Sequence, residues 1–233
     1  NNEQADCIVP LSGGRDSCFA LHLAKKKFNL NPIAYTYDWG LVTDIARRNI
    51  SRMCSRLNIE NIIFADNITK KRNYIKKNVV AWLKKPHLGM VNLFTAGDKH
   101  FFRHVQTVKR TTGLKLDLWG INPYEITHFK TGFLGVAPYF ESKEVYTAGT
   151  FKQLNYHSKR FFQMLANPSY LNSSILDNLY GEVYRSIVKK TDHYSIFDFF
   201  KWNETEVDET LKLYDWERSV DTQSTWRIGD GAA

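Results

Sequence analysis

The chain has 233 residues, 43% hydrophobic and 14% aromatic, a composition that excludes a disordered polypeptide and suffices for one sizeable core with a smaller appendage. No apolar run approaches the roughly 18 residues of a membrane span, and no charged-then-apolar signal segment opens the chain, so a cytoplasmic protein without membrane association is expected. The formal net charge of +8 invites an anionic partner, tRNA or nucleotides among them; the small clusters Lys25-Lys26-Lys27, Lys70-Lys71-Arg72, Lys84-Lys85 and Lys189-Lys190 read equally as solvated helix faces and ends.

Cys7-Ile8-Val9-Pro10-Leu11 is an apolar run of strand length, and residues 15–27 follow with Cys18, Phe19, Leu21, Leu23 and Ala24 on one broad apolar face, a helical pattern. Asn31-Pro32 introduces a second strand, Ile33-Ala34-Tyr35-Thr36-Tyr37. A second helix is expected from about Thr43 to Leu57, with Ile45, Ala46, Ile50, Met53 and Leu57 at helical spacing. Ile62-Ile63-Phe64-Ala65 reads as the third strand, and Thr69 to about Lys84 as the third helix, stopped by Pro86. This alternation predicts an α/β fold, a parallel sheet with helices on both faces and right-handed crossovers.

Residues 90–112 read as a longer helical stretch broken around Gly97, and Leu116-Asp117-Leu118-Trp119-Gly120 as a fourth strand. Past residue 130 the alternation fades into helices at about 150–165 and 172–189, the extended aromatic run Tyr194 to Trp202, and a final helix. Asn203 is its expected N-cap, with Glu206 three residues on. The division expected is an α/β core over residues 1–135 and a mostly helical substrate-side region over 136–233, packed on that core. The short polar start and the loop-like end Gly229-Asp230-Gly231-Ala232-Ala233 read as those of a piece of a longer polypeptide.

The chemistry concentrates in Ser12-Gly13-Gly14-Arg15-Asp16-Ser17, between the first strand and the first helix. Two glycines let backbone N–H groups approach an anion where a Cβ would obstruct it, and the helix start adds unpaired N–H groups and the positive end of its dipole. The hydroxyls of Ser12 and Ser17 are donors to phosphate oxygens. Neither G-x-x-x-x-G-K-[ST] nor G-x-G-x-x-G is present, so the Walker-type and dinucleotide fingerprints do not apply. The competing view is a glycine-rich βα turn without a ligand.

Ligands of open α/β sheets lie outside the carboxyl ends of the strands, which selects Tyr37-Asp38-Trp39-Gly40 and Gly120-Ile121-Asn122 as well. Asp38, a carboxylate at a strand end beside a glycine, is a candidate to hold Mg²⁺ or orient substrate. Thr95-Ala96-Gly97-Asp98-Lys99-His100 is a polar turn between Leu93-Phe94 and Phe101-Phe102, with Asp98 either a metal ligand or a surface N-cap. Asn122, Glu125, Thr127 and Lys130 are candidate substrate contacts; a plain Asn-Pro turn explains their segment nearly as well. Arg227 is either a phosphate or carboxylate contact or part of an ordinary terminal turn. Cys7, Cys18 and Cys54 show no C-x-x-C spacing and no H-E-x-x-H motif is present, so neither disulfides nor a zinc site is expected.

The S-G-G-x-D-S string in its strand–turn–helix setting resembles the PP-loop (N-type) ATP pyrophosphatases. With Tyr37-Asp38-Trp39-Gly40, Ala96-Gly97-Asp98-Lys99, Gly120-Ile121-Asn122-Pro123 and Trp226-Arg227-Ile228-Gly229-Asp230-Gly231, the chain is most similar to the N-acetyl sugar amidotransferase group. The resemblance implies an adenine nucleotide alpha-hydrolase-like, Rossmann-like fold, ATP and Mg²⁺ as cofactors, and cleavage of ATP to AMP and pyrophosphate. It implies that Ser12, Gly13, Gly14, Asp16 and Ser17 bind pyrophosphate and metal, with Asp16, Ser17 and Lys99 at the chemical step. Arg15 or Lys99 would counter charge, Asp16, Asp38 and Asp98 would be the metal candidates, and Gly120 would border the cofactor.

Val9, Leu11, Tyr35, Thr36 and Tyr37 are its adenosine-side candidates; filling the core is as good an account of any single tyrosine. The implied reaction converts the acetamido group of an N-acetyl sugar or nucleotide sugar to an acetamidino group, for surface-polysaccharide or nonulosonate biosynthesis. No glutaminase nucleophile is visible, so ammonia would come from a separate glutaminase subunit. The thiolation relatives pass sulfur through cysteines, often paired, or hold an iron–sulfur cluster, which favours nitrogen over sulfur transfer here. A tRNA-modifying adenylase and a non-catalytic nucleotide-binding sensor are the other readings.

Overall fold

The computed structural model describes residues 4–95, 97–122, 132–136 and 150–219. Glu125, Thr127, Lys130 and Arg227 lie outside the described residues, as does most of the Asn122-to-Lys130 segment.

A parallel sheet forms from β1 (Cys7–Pro10), β2 (Pro32–Asp38), β3 (Asn61–Ala65), β4 (Leu116–Trp119) and β5 (His193–Ser195), in the spatial order β3-β2-β1-β4-β5. β1 is central, and Cys7, Ile8 and Val9 are wholly buried, as a continuous apolar run between two parallel neighbours requires. Helix α1 (Arg15–His22) passes into a π turn over Leu23–Lys27, and α2 (Asp44–Leu57) starts at Thr43, whose side chain accepts from the Ala46 N–H. α2 stops at Asn58, in the left-handed region at φ +52°. Helix α3 (Ile68–Lys84) has Asn67 as its N-cap.

The stretch expected to be one broken helix is two 3-10 segments, Leu88–Thr95 and Asp98–His100, followed by α4 (Phe101–Thr112). The break falls at Gly97, whose φ of +91° takes it out of helical geometry. Helix α5 (Thr150–Ala166), a 3-10 turn at Pro168–Tyr170, and α6 (Ser174–Ser186) follow; α7 (Glu204–Lys212) is capped by the Asn203 side chain accepting from the Glu206 N–H. No helix among the described residues is long and apolar enough to cross a membrane.

Two compact units result. The first joins Asn1–Asp66, His104–Pro123 and Lys189–Ala233; the second joins Asn67–Arg103 and Tyr124–Val188. Both units are thus discontinuous in sequence. The reason is β5: His193, Tyr194 and Ser195 pair with Asp117, Leu118 and Trp119, returning the chain to the sheet where only an extended run was expected. At three residues, β5 is too short to show a period of two.

The first unit's core runs from Cys7 and Val9 through Phe19 and Leu23 of α1 and Ile50, Met53 and Leu57 of α2 to Val207 and Leu211 of α7. Each such large side chain contributes about 1.5–3 kcal/mol by leaving water. The second unit has its own core around Ala81, Met90, Leu93, Met164 and Tyr170.

Candidate phosphate-binding site

From β1 the sheet runs to β2 and β3 on one side and to β4 and β5 on the other, so its winding reverses between β1 and β4. A crevice opens outside the carboxyl ends of strands at such a reversal. The loop after β1 and the segment after β4 meet here: a Cβ added to Gly120 would lie 2.6 Å from the Asp16 carbonyl oxygen and 2.7 Å from Ala20 Cβ. Glycine at 120 is what lets the two strand ends converge.

Gly13 sits at φ +84°, and an added Cβ would come within 2.4 Å of the Ala46 carbonyl oxygen. Gly14 is the N-cap of α1 and places no side chain over the helix's first N–H groups. The serines close the loop on itself. Ser17 Oγ accepts from the Ser12 N–H at 3.2 Å, lies 3.0 Å from Ser12 Oγ and donates to the Gly14 carbonyl at 3.0 Å; Ser12 Oγ accepts from the Gly14 N–H at 3.3 Å. These weak, exposed bonds are exchangeable for bonds to phosphate oxygens of similar geometry.

The loop is held from behind by residues that sequence reasoning missed. The Gly13 carbonyl accepts from Trp216 Nε1 at 3.0 Å and from Asn49 Nδ2 at 3.3 Å. Because a trans peptide is planar with C=O and N–H opposed, anchoring this carbonyl directs the Gly14 N–H into the loop. Asn49, fully buried, also donates to the Glu217 carbonyl at 2.9 Å and accepts from the Glu217 N–H at 2.8 Å. Arg48 and Arg52 pair with the Glu217 carboxylate, Arg52 donates to the Asp215 carbonyl, and Arg56 pairs with Asp215 and donates to the Leu213 carbonyl. A stripe of arginines four residues apart on α2 therefore straps residues 213–217 across the back of the loop.

Asp16 accepts from Trp202 Nε1 at 2.9 Å and from Asn122 Nδ2 at 3.3 Å, so its carboxylate is aimed by one group after β4 and one before α7. Ser195 Oγ, in turn, holds the Ile121 carbonyl at 3.1 Å. Arg15 Nε lies 3.6 Å from the Asp16 carboxylate. Its buried guanidinium donates to Glu204 at 2.8 Å and lies 5.1 Å from the Trp202 ring. It joins α1 to α7.

Val9 and Leu11 are buried in the core, and Leu11 is fixed to β2 by its N–H to the Tyr35 carbonyl and by the Thr36 hydroxyl donating to its own carbonyl at 2.8 Å. Tyr35 is buried, its phenol pushed up by that burial, whereas Tyr37 is half-buried and donates to Asp66 at 2.8 Å. A cavity of about 330 Å³ is lined by Thr36, Asp38, Val42, Arg47, Ile50 and Ile63 among others. Asp38 is engaged on both oxygens, one accepting from the Gly40 N–H at 2.9 Å and the other paired with Arg47. That gives it a turn-fixing task beside any metal role.

Asp98 and Lys99 belong to the second unit. Gly97 is the cap of their 3-10 turn, so Asp98 occupies its first position and is not an N-cap. Burial pushes the Asp98 carboxyl up, against the opposing pull of Lys99 and Arg185. Lys99 is ion-paired with Glu182.

Burial pushes the Cys7 thiol up to about 12 and the Cys54 thiol to about 11, and raises Cys18 further still. Thiolates, the reactive form of cysteine, are suppressed at all three.

No family model matches the chain, and no curated protein matches its sequence significantly. Among solved structures it is similar to the U34-tRNA thiolase NcsA from Methanococcus maripaludis with its 4Fe-4S cluster, at 13% identity and a TM-score of 0.43 over 97% of this chain. The chain spans 63% of that protein's length. The NH3-dependent NAD synthetase from Campylobacter jejuni is 15% identical, with a TM-score of 0.38 over 81% of this chain and 90% of its own. The NMN synthetase from Francisella tularensis is 15% identical, with a TM-score of 0.38 over 94% and 80% of the two chains. Identities and scores this low say nothing about substrate.

Proposed function

We propose that this chain is an ATP-using PP-loop enzyme that adenylates an N-acetylated sugar and passes ammonia to it. The observation that carries the reading is the locked loop. Gly13 can be nothing but glycine, its carbonyl is anchored by Asn49 and Trp216, and the Ser12 and Ser17 hydroxyls converge on the space between. Preorganised donors of this kind stabilise charge developing on a leaving pyrophosphate without reorganising at the moment of reaction.

In the reaction proposed, the acetamido oxygen attacks the α-phosphorus, the bond from that phosphorus to the bridging oxygen breaks, and pyrophosphate leaves. Ammonia then adds to the imidate carbon, and AMP departs with the former acetamido oxygen, leaving an acetamidino group. The loop's N–H groups hold the pyrophosphate end, and Ser12 and Ser17 exchange their mutual bonds for phosphate oxygens.

Asp16 is the carboxylate that would hold Mg²⁺ at this loop, since it is a hard oxygen donor on which Trp202 and Asn122 each occupy one direction and Arg15 Nε lies further off, at 3.6 Å. When bound, Mg²⁺ supplies neutralisation of the phosphate charge.

A tRNA-modifying adenylase is the second reading, favoured by the +8 charge. Against it, Arg48, Arg52 and Arg56 are spent on the 213–217 strap, and the three thiols are held protonated. The deciding experiment incubates the protein with ATP, Mg²⁺, ammonium and either nucleotide-linked N-acetyl sugars or unmodified tRNA, reading AMP, pyrophosphate and product mass. AMP formed only with a sugar supports the first reading. AMP formed only with tRNA overturns it in favour of the second, and ATP binding without turnover leaves a nucleotide sensor.

A further inference from the structure

The second unit gathers positive charge that its acids do not balance. The 3-10 turn at Asp98–His100 sits close on α6 because position 181 is glycine; a Cβ there would lie 3.2 Å from both Lys99 Cβ and His100 Cδ2. The approach brings Lys99 onto Glu182, and Arg185 lies 3.5 Å from the same carboxylate one turn further along α6. Arg160 of α5 is only 8% exposed. Among the described residues its guanidinium makes no hydrogen bond and meets no carboxylate at ion-pair distance; the contact it has is the Tyr156 ring, 5.7 Å away.

Among the described residues Lys99 and Arg185 thus share Glu182, and the Asp98 carboxyl is pushed toward the neutral form by burial. Arg160 is close enough to act electrostatically on both Glu182 and His157. Desolvation first, and Arg160 next, push the His157 imidazole toward its neutral form, which offers one N–H and one acceptor nitrogen. Among the described residues the guanidinium's N–H fork is not committed to a carboxylate, and a planar or tetrahedral oxyanion matches it through two parallel N–H···O bonds.

We propose that the second unit holds an oxyanion, a carboxylate or a phosphate, on Arg160, with Lys99 and Arg185 supplying the surrounding charge and Glu182 as the resident carboxylate that keeps them in place. These residues belong to the second unit and the loop after β1 to the first, and the proposal does not rest on the adenylation reading.

Calorimetric titration of the full chain with inorganic phosphate, N-acetylglucosamine 1-phosphate and glucuronate tests it, the three probes separating phosphate from carboxylate. At least one probe is expected to saturate. Arg160→Gln should weaken it about tenfold, since one charge-assisted pair is lost. Ser12→Ala, in the other unit, should leave it unchanged. Should Arg160→Gln fail to fold by circular dichroism, Arg160→Lys carries the same test: it keeps the charge and loses the fork, and weakening by about threefold is expected. Absence of saturation with all three probes, or binding unchanged in the Arg160 variant that folds, overturns the proposal. So does a loss as large in Ser12→Ala, which would place the probe at the loop.

Discussion

The Asn49 side-chain amide donates to the Gly13 carbonyl at 3.3 Å from a fully buried position in the middle of α2, 36 residues along the chain. One amide therefore joins the phosphate-type loop to the segment at Glu217, whose N–H and carbonyl it also satisfies. Asn49→Ala should cost about 2–3 kcal/mol, the penalty for buried polar groups left without partners. Asn49→Asp keeps the acceptor for the Glu217 N–H but sets a carboxylate oxygen against the Gly13 carbonyl. It should weaken ATP binding more than its effect on stability explains, and comparing melting temperatures with ATP titrations separates the two.

Trp216→Phe removes the other donor to Gly13 and keeps most of the ring. The expected loss is about 1 kcal/mol in ATP affinity, one neutral hydrogen bond. A double-mutant cycle with Asn49→Ala should show coupling, because both groups act on one carbonyl. Additive losses would mean that the two do not position the same peptide.

The glycines of the site differ in what they tolerate. Gly13→Ala meets both a left-handed φ, worth about 1–2 kcal/mol, and the Ala46 carbonyl at 2.4 Å, and should abolish pyrophosphate release. Gly120→Ala meets the Asp16 carbonyl and should separate Asn122 from Asp16, lowering turnover more than stability. Gly113, at φ +76° with nothing within 4 Å, is the control: Gly113→Ala should cost about 1 kcal/mol of stability and leave ATP turnover unchanged.

The loop was legible in the sequence because its constraint is local: adjacent glycines between an apolar run and a helix leave few physical explanations. Strands β1 to β4 were legible for the same reason, each an apolar run between turn signals. The anchors were not. Trp216 reaches Gly13 across 203 residues, a distance at which no periodicity or spacing carries information. Asn49 did leave a trace, a polar residue three positions after Ala46 on the buried face of α2, where an apolar residue was due. The partners of Arg15 left no such trace, since Glu204 lies 189 residues along the chain, in a part that reads as a separate region.

Nitrogen transfer makes a prediction about the thiols. With Cys7 and Cys18 buried and every thiol raised by desolvation, alkylation at pH 8 should label Cys54 slowly and the other two only on unfolding. Replacing all three by Ala or Ser, one at a time, should leave AMP formation intact. A single cysteine whose loss abolishes turnover without loss of fold would point to sulfur chemistry.

Glu182 should shape the acid limb of stability. Burial raises its pKa, but Lys99, then Arg185 and Arg160, outweigh burial and bring it from 4.5 down to about 2. A carboxyl depressed in the folded state binds its proton more readily when unfolded, so its stabilisation is complete above pH 4.5 and is lost as pH falls toward 2. The depression corresponds to about 3 kcal/mol across that window. Glu182→Gln removes the titrating group, so the variant should be less stable than the parent at neutral pH and lose less stability between pH 5 and pH 2. Urea midpoints at a series of pH values check this, and parallel pH profiles for the two proteins would show that the ion pairs around Glu182 contribute no net folding energy.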